Sequence, residues 1–140
     1  MPRVMVSRLD RLQIVENPTL SDEVLNGLFL AAWPGHVRRP FAPILSRSLA
    51  YFGGYVSAEL IGFVNVAWDG GHHAFLLDPT VHPDFRRRGV GRALLKTAIG
   101  AATRRGIEWL HVDYEPVLEP FYRSVGFRPT DAGLLHLQSS

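Results

Sequence analysis

The chain has 140 residues, of which 46% are hydrophobic, 11% aromatic and 20% charged; this excludes a disordered segment and supplies one domain, residues 1–140, with enough apolar material for a core. Its formal net charge is only +2, and its basic residues, all arginine except Lys96, cluster locally at Arg86, Arg87, Arg88, Arg104 and Arg105, so binding of nucleic acid through a broad basic field is excluded. With no cysteine there is no disulfide framework, no thiolate nucleophile and no cysteine zinc site, and no apolar run approaches the ~18 residues of a membrane span, so the expectation is a cytoplasmic chain with no membrane partner.

In chain order, residues 1–9 set arginines around a short apolar stretch and read as neither leader nor anchor. Residues 12–15 read as a first strand. Asn17-Pro18-Thr19 or Ser21 then offers turn and N-cap chemistry for a helix over residues 22–32, with Val24, Leu25, Leu28 and Phe29 at helical spacing. Trp33-Pro34-Gly35 stops it, the proline-rich stretch to Pro43 reads as a loop, and a second short helix is expected over residues 44–49. From residue 51 the pattern changes to strands at 51–56, 60–68 and 74–81, joined by turns too short for a parallel crossover, hence an antiparallel meander. After Val81 a loop leads into a helix over residues 89–105, whose Val90, Ala93, Leu94, Ala98 and Ala101 form one stripe and whose stop is Gly106. Residues 108–113 form the next strand, and a strand, helix and strand of this length make a βαβ unit, so strands 74–81 and 108–113 should lie parallel. A short helix from Pro116 or Val117 to Ser124, stopped by Gly126, and a last strand over residues 134–137 complete an α/β chain with a mixed sheet.

The segment from Val81 to Leu95 ends a buried strand, turns through glycines and opens a helix with arginines at its mouth. Each feature suits a phosphate: free amides and the positive end of the helix dipole point at the ligand, glycines allow close approach, and arginines add charge-assisted bonds over Arg88, Gly89, Val90, Gly91 and Arg92. A Walker loop is excluded, because Gly91 is followed by Arg92 and Ala93 rather than by Lys and Ser or Thr. A Rossmann fingerprint fits Gly89, Gly91 and Asp113, but its third glycine is Leu94 and the tight turn directly after the strand is missing. A metal site has no support either, since His72 and His73 point to opposite faces of a strand.

What the segment matches is Arg/Gln-x-x-Gly-x-Gly/Ala after a strand ending in Val, as Val81, Pro83, Arg86, Gly89, Gly91, Leu94 and Leu95, and here the chain resembles the GNAT family of N-acetyltransferases. The resemblance continues at Tyr122-Arg123-Ser124-Val125-Gly126-Phe127, similar to that family's Tyr-x-x-x-Gly-Phe segment, and it covers about residues 51–127. It implies the family's fold and an acetyl-CoA cosubstrate whose pyrophosphate lies on Arg86, Arg87, Arg88, Gly89, Val90, Gly91 and Arg92, while its pantetheine arm pairs with the strand bearing Val81. It further implies that a backbone amide near Val81 polarises the thioester carbonyl and that Tyr122 is the general acid for the leaving thiolate. The family often has Asn seven residues before this tyrosine; here the position is Glu115.

Direct transfer of an acetyl group to an amine needs a base but no covalent intermediate, so the lack of cysteine is no objection. Phe75 and Leu77 occupy two positions that carry the base in family members, which leaves a water relay to Asp113 or Glu115, near His111, with His73 behind them. Trp33 and Phe41 fall in the family's acceptor-binding loop and, with His73, are the candidate contacts to a small-molecule or peptide amine. Two further expectations are a homodimer that would cover an exposed sheet edge and, as the rival to catalysis, a regulatory module that binds acyl-CoA without turning it over.

Overall fold

The structure, a computed structural model, describes residues 11–138; the reading of residues 1–9 therefore lies outside the described residues. It contains β1 (Gln13–Glu16), α1 (Asp22–Ala32), α2 (Ala42–Leu45), β2 (Ser48–Val56), β3 (Glu59–Trp68), β4 (His73–Val81), α3 (Val90–Arg104), β5 (Trp109–Val112) and α4 (Glu119–Ser124). The five strands form one sheet in sequence order, antiparallel from β1 to β4 and parallel between β4 and β5; the short turns after β2 and β3 require antiparallel neighbours, and α3 makes the crossover to the parallel β5. No helix among the described residues is long and apolar enough to cross a membrane.

Alternation along the strands divides the apolar residues between two faces. On one, Phe52, Val64, Val66, Ala74 and Leu76 pack against the Val90, Leu94, Leu95, Ala98 and Ala101 stripe of α3. The contact is close enough that a Cβ on Gly62 would come within 2.8 Å of Leu94 Cδ1, so even alanine there overpacks the interface, at a cost of roughly 1–3 kcal/mol. On the other face, Leu60 and Phe63 meet Leu25, Leu28 and Phe29 of α1 and Phe41 at the entry to α2. The α1 start is capped by Ser21, whose hydroxyl accepts from the Val24 amide, an interaction worth about 1 kcal/mol.

Two expectations are corrected. The second helix is Ala42–Leu45, not residues 44–49, because Pro43 sits in its first turn, where proline is favoured, and Ser48 and Ala50 are already paired with Ala67 and Val66 of β3. No strand forms over residues 134–137: Leu134, Leu135 and Leu137 are exposed, with no neighbouring strand among the described residues to satisfy their backbone or cover their side chains.

Candidate functional site: a cleft between β4 and β5

β4 and β5 are paired only from His73 to Leu76 and from Trp109 to Val112. Beyond that the register of β4 against β3 shifts: Phe63 faces Thr80 and Asn65 faces Leu77, so Asp78 and Pro79 oppose the single residue Val64, a bulge with Asp78 at φ 53°. The Asp-Pro pair inside an apolar run was the signal for this bulge, since proline inside a sheet is confined to edges and bulges. Past Leu76 and Val112 the two strands are no longer paired, so residues 77–81 of β4 have an unpaired edge on the β5 side, and this unpaired stretch between the strand ends is the cleft. Asp78 is held there by an exposed ion pair with Arg39, at 3.5 Å.

At the base of the cleft α3 begins. Gly89 is its N-cap at φ 84°, a left-handed conformation that L-residues adopt at a cost of about 1–2 kcal/mol. The first bond into the helix runs from the Ala93 amide to the Gly89 carbonyl, and none of the amides of residues 87–92 donates to an acceptor among the described residues. Amides left without a backbone acceptor at a helix start have the chemistry that suits an anion. Gly91 faces both Val81 and Phe121, each 3.7 Å from where its Cβ would lie, so the end of β4, the start of α3 and α4 converge at this point.

The arginines proposed for the cofactor divide into two kinds. The Arg86 guanidinium donates to the Ala32 carbonyl at 2.7 Å, closing the C-terminus of α1, and Arg92 donates to Ser124 Oγ at 2.7 Å and to the Ser124 carbonyl, tying α3 to α4. Arg87 and Arg88 are exposed and have no partner among the described residues, so their charge is available to a ligand. The tethering contacts span 54 and 32 residues, and no local pattern announces them.

Tyr122 projects from α4 into the same region. Its ring is buried, stacked on Tyr114 at 4.6 Å between centroids and 12° between planes, and edge-on to Phe121 and Phe127. Gly126 follows at φ 110° and its amide closes the helix on the Arg123 carbonyl. The Tyr122 hydroxyl has no hydrogen-bond partner among the described residues, yet no buried side-chain oxygen among them lacks one, so this hydroxyl opens to solvent. Burial, and secondarily the neighbouring Tyr114, raises its pKa above the ordinary value of 10.0 and keeps it protonated at neutral pH.

On the α1 side, buried Asn26 donates to the carbonyls of Asp22 and Arg39 and accepts from the Arg39 amide, with His36 Nε2 at 2.9 Å from its Oδ1. This network fixes the loop between α1 and α2 and was not read from the sequence, where Asn26 is one polar residue in a helix. Phe41 is 2% exposed and packs on Phe29, so its ring belongs to the core rather than to an open binding surface. Trp33 is half exposed, its indole N–H donating to Thr80 Oγ1 at 3.0 Å beside the β4 bulge. His73 and His111 are hydrogen-bonded across β4 and β5 at 2.8 Å. Asp113 and Glu115 are exposed, on the segment leaving β5. Among the described residues no cluster of His, Asp and Glu could hold a metal.

A family profile described as "Acetyltransferase (GNAT) family" matches residues 21–127. An uncharacterized N-acetyltransferase of Porphyra purpurea, ycf52, is 32% identical over 71 residues, covering 51% of this chain and 41% of that protein, so the alignment reaches about two fifths of the relative's length. Among solved structures, aminoglycoside N-acetyltransferase AAC(6')-Iy in complex with CoA superposes with a TM-score of 0.71 at 22% identity, covering 92% of this chain and 95% of the other. An aminoglycoside acetyltransferase from an uncultured soil metagenomic sample, solved with sisomicin, gives 0.70 at 16% identity, covering 94% and 97%. At these identities the two structures share the fold with this chain.

Proposed function

The chain belongs to the acetyltransferase (GNAT) family, and from that premise we propose that its single domain transfers an acetyl group from acetyl-CoA directly to a primary amine of a small molecule or peptide. The observation that carries this reading is the run of free amides over residues 87–92, at a helix start where Gly91 stands against Val81 and Phe121, the ring neighbour of Tyr122. A pyrophosphate laid on those amides, with Arg87 and Arg88 beside it, would send the pantetheine arm up the unpaired edge of β4, past Val81 toward the Asp78 bulge. The amides of that edge would polarise the thioester carbonyl; Pro79 contributes none. A cysteine-free chain suits the reducing cytoplasm, where acetyl-CoA is available.

The acceptor arrives as an ammonium. It gives one proton to a water held by Asp113 or Glu115, the neutral amine forms the C–N bond to the acetyl carbon, and the C–S bond breaks. The departing sulfur takes the Tyr122 hydroxyl proton, and the proton left on the new amide nitrogen passes to solvent as the phenolate is reprotonated. The products are an N-acetyl amide, the CoA thiol and one net proton. A phenol whose ring is fixed on three aromatic neighbours and whose hydroxyl is unspent on protein favours this reading over a regulatory module.

The test is calorimetric titration with acetyl-CoA of the wild type and of Gly89→Val, which forces a β-branched residue to φ 84°. Saturable binding to the wild type, weakened by about tenfold or more in the variant, is expected, since 1.4 kcal/mol of strain is a factor of ten. Absence of binding to the folded wild type would overturn the proposal.

A further inference from the structure

The motifs leave the acceptor open, but the face that would receive it has a definite chemistry. On the side of the sheet away from α3, β4 and β5 set His73 beside Trp109 and Phe75 beside His111, with Leu77 next along β4. Phe75, Leu77 and Trp109 are 39%, 41% and 52% exposed. The rings are nonetheless ordered: His111 stacks on Phe75 with centroids 4.7 Å apart and planes at 19°, and its Nε2 is hydrogen-bonded to His73 Nδ1. From Leu77 to the level of Trp109 this wall runs four residues, roughly 13 Å at the rise of a strand, and its inner end meets the cleft at the Asp78 bulge.

Charge on this face is uneven. Asp69, at the outer end, accepts from the Gly71 and His73 amides of the turn, and Asp78, at the inner end, is paired with Arg39. Asp113 follows His111 by two residues on the chain leaving β5, and Glu115 comes after it; both are exposed and neither has a side-chain partner among the described residues, so two free carboxylates follow the end of β5. A ligand fitted to this surface has one cationic end and an uncharged body. Between Asp69 at the outer end and Asp113 past the other, a polycation would lay its intervening charges against the histidine pair, the aromatic rings and the Arg39 guanidinium, a stretch that carries no free carboxylate among the described residues.

We propose that the acceptor is a monoamine on an aromatic or aliphatic body, which lies along Phe75, His111 and Trp109 while its amino group reaches Asp113 and the cleft. The proposal rests on the acetyl-transfer reading and narrows it. His73 is a positioning residue, fixing the ring of His111 through their hydrogen bond.

The experiment uses the whole chain, first shown by calorimetry to bind acetyl-CoA, with phenethylamine as the monoamine probe and sisomicin as the polycation. Thiol release gives turnover, and quenching of tryptophan fluorescence in the CoA-loaded protein gives binding. Phenethylamine is expected to bind saturably and release thiol, and sisomicin to do neither. Phe75→Ala should raise KM for phenethylamine about tenfold with kcat and acetyl-CoA affinity little changed, and Phe75→Tyr should restore it. Preference for sisomicin, a KM for phenethylamine indifferent to Phe75→Ala, or failure of the CoA-binding protein to bind phenethylamine would each overturn the assignment. Failure to bind acetyl-CoA at all would instead fall on the acetyl-transfer reading.

Discussion

On the α3 side of the cleft the groups that would hold a ligand are backbone amides, supported by side chains that have other partners; on the α1 side they are side chains standing on a sheet. The amides of residues 87–92 are aimed by one left-handed glycine and by two arginine tethers, Arg86 to Ala32 and Arg92 to Ser124. The opposing face has Phe75, Leu77, Trp109 and the histidine pair, whose positions the sheet sets but whose identities it does not. A surface made of backbone demands particular residues, glycine above all, and so leaves a mark in the sequence. A surface made of side chains can change its chemistry without disturbing the fold, and leaves none.

Tyr122 is the side chain on which the α3 side should depend most. Tyr122→Phe keeps the ring on Tyr114, Phe121 and Phe127 and removes only the hydroxyl. It is expected to lower kcat by roughly 10²–10⁴-fold while the dissociation constant for acetyl-CoA stays within twofold of wild type. A variant that turns over as fast as wild type would mean that the hydroxyl is only the exposed tip of a core residue, and the division between the two sides would extend to catalysis.

The arginines sharpen the comparison at intermediate size. Arg88→Ala should weaken acetyl-CoA binding by roughly two- to fivefold at low ionic strength, and less in high salt, because an exposed cation loses its attraction to screening. Arg86→Ala should instead lower the melting temperature with little change in affinity, because its guanidinium is bound to the Ala32 carbonyl at 2.7 Å. Melting curves and titrations at two salt concentrations separate them. The reverse outcome, affinity lost at Arg86 and stability at Arg88, would show that Arg86 leaves α1 when the ligand binds.

How much could be read in advance follows the same division. The α1 bounds, the meander, the parallel β4 and β5 and the Gly106 stop were legible because each rests on spacing, turn length or a left-handed glycine close by in the chain. The second helix was placed too late because Pro43, taken as loop chemistry, is equally good first-turn chemistry. The strand expected over residues 134–137 failed because apolar residues need a partner strand, which a run of sequence cannot supply. Gly89 and Gly91 stand at the start of α3, where the glycine spacing put a strand-to-helix turn, and Tyr122 stands on the short helix that Gly126 ends. Arg86 was grouped with Arg88 as the Arg of the Arg-x-x-Gly-x-Gly pattern and Arg92 as the residue after Gly91, though both guanidiniums are bonded within the protein, and Phe41 was assigned to a binding loop although it is core. The Asn26 network and the His73 and His111 pair join residues up to 38 positions apart and needed the fold to be seen.

The smallest expected effect concerns Tyr122 and alkali, and it separates burial from catalysis at one residue. Burial raises the native pKa above the 10.0 of the free phenol, with Tyr114 adding to the shift. In the unfolded chain the phenol therefore ionises first. Below pH 10 both states hold the proton and the stabilising contribution is complete; as the pH climbs from 10 toward the raised native value, only the unfolded state has lost it, and stability falls. Tyr122→Phe cannot ionise in either state. Melting temperatures of the two proteins followed from pH 9 to 11 should thus draw together or cross, the wild type losing more. Parallel curves would mean that the ring is less desolvated in solution than its packing implies, and the proton assigned to the departing thiolate would be held by a phenol of ordinary acidity.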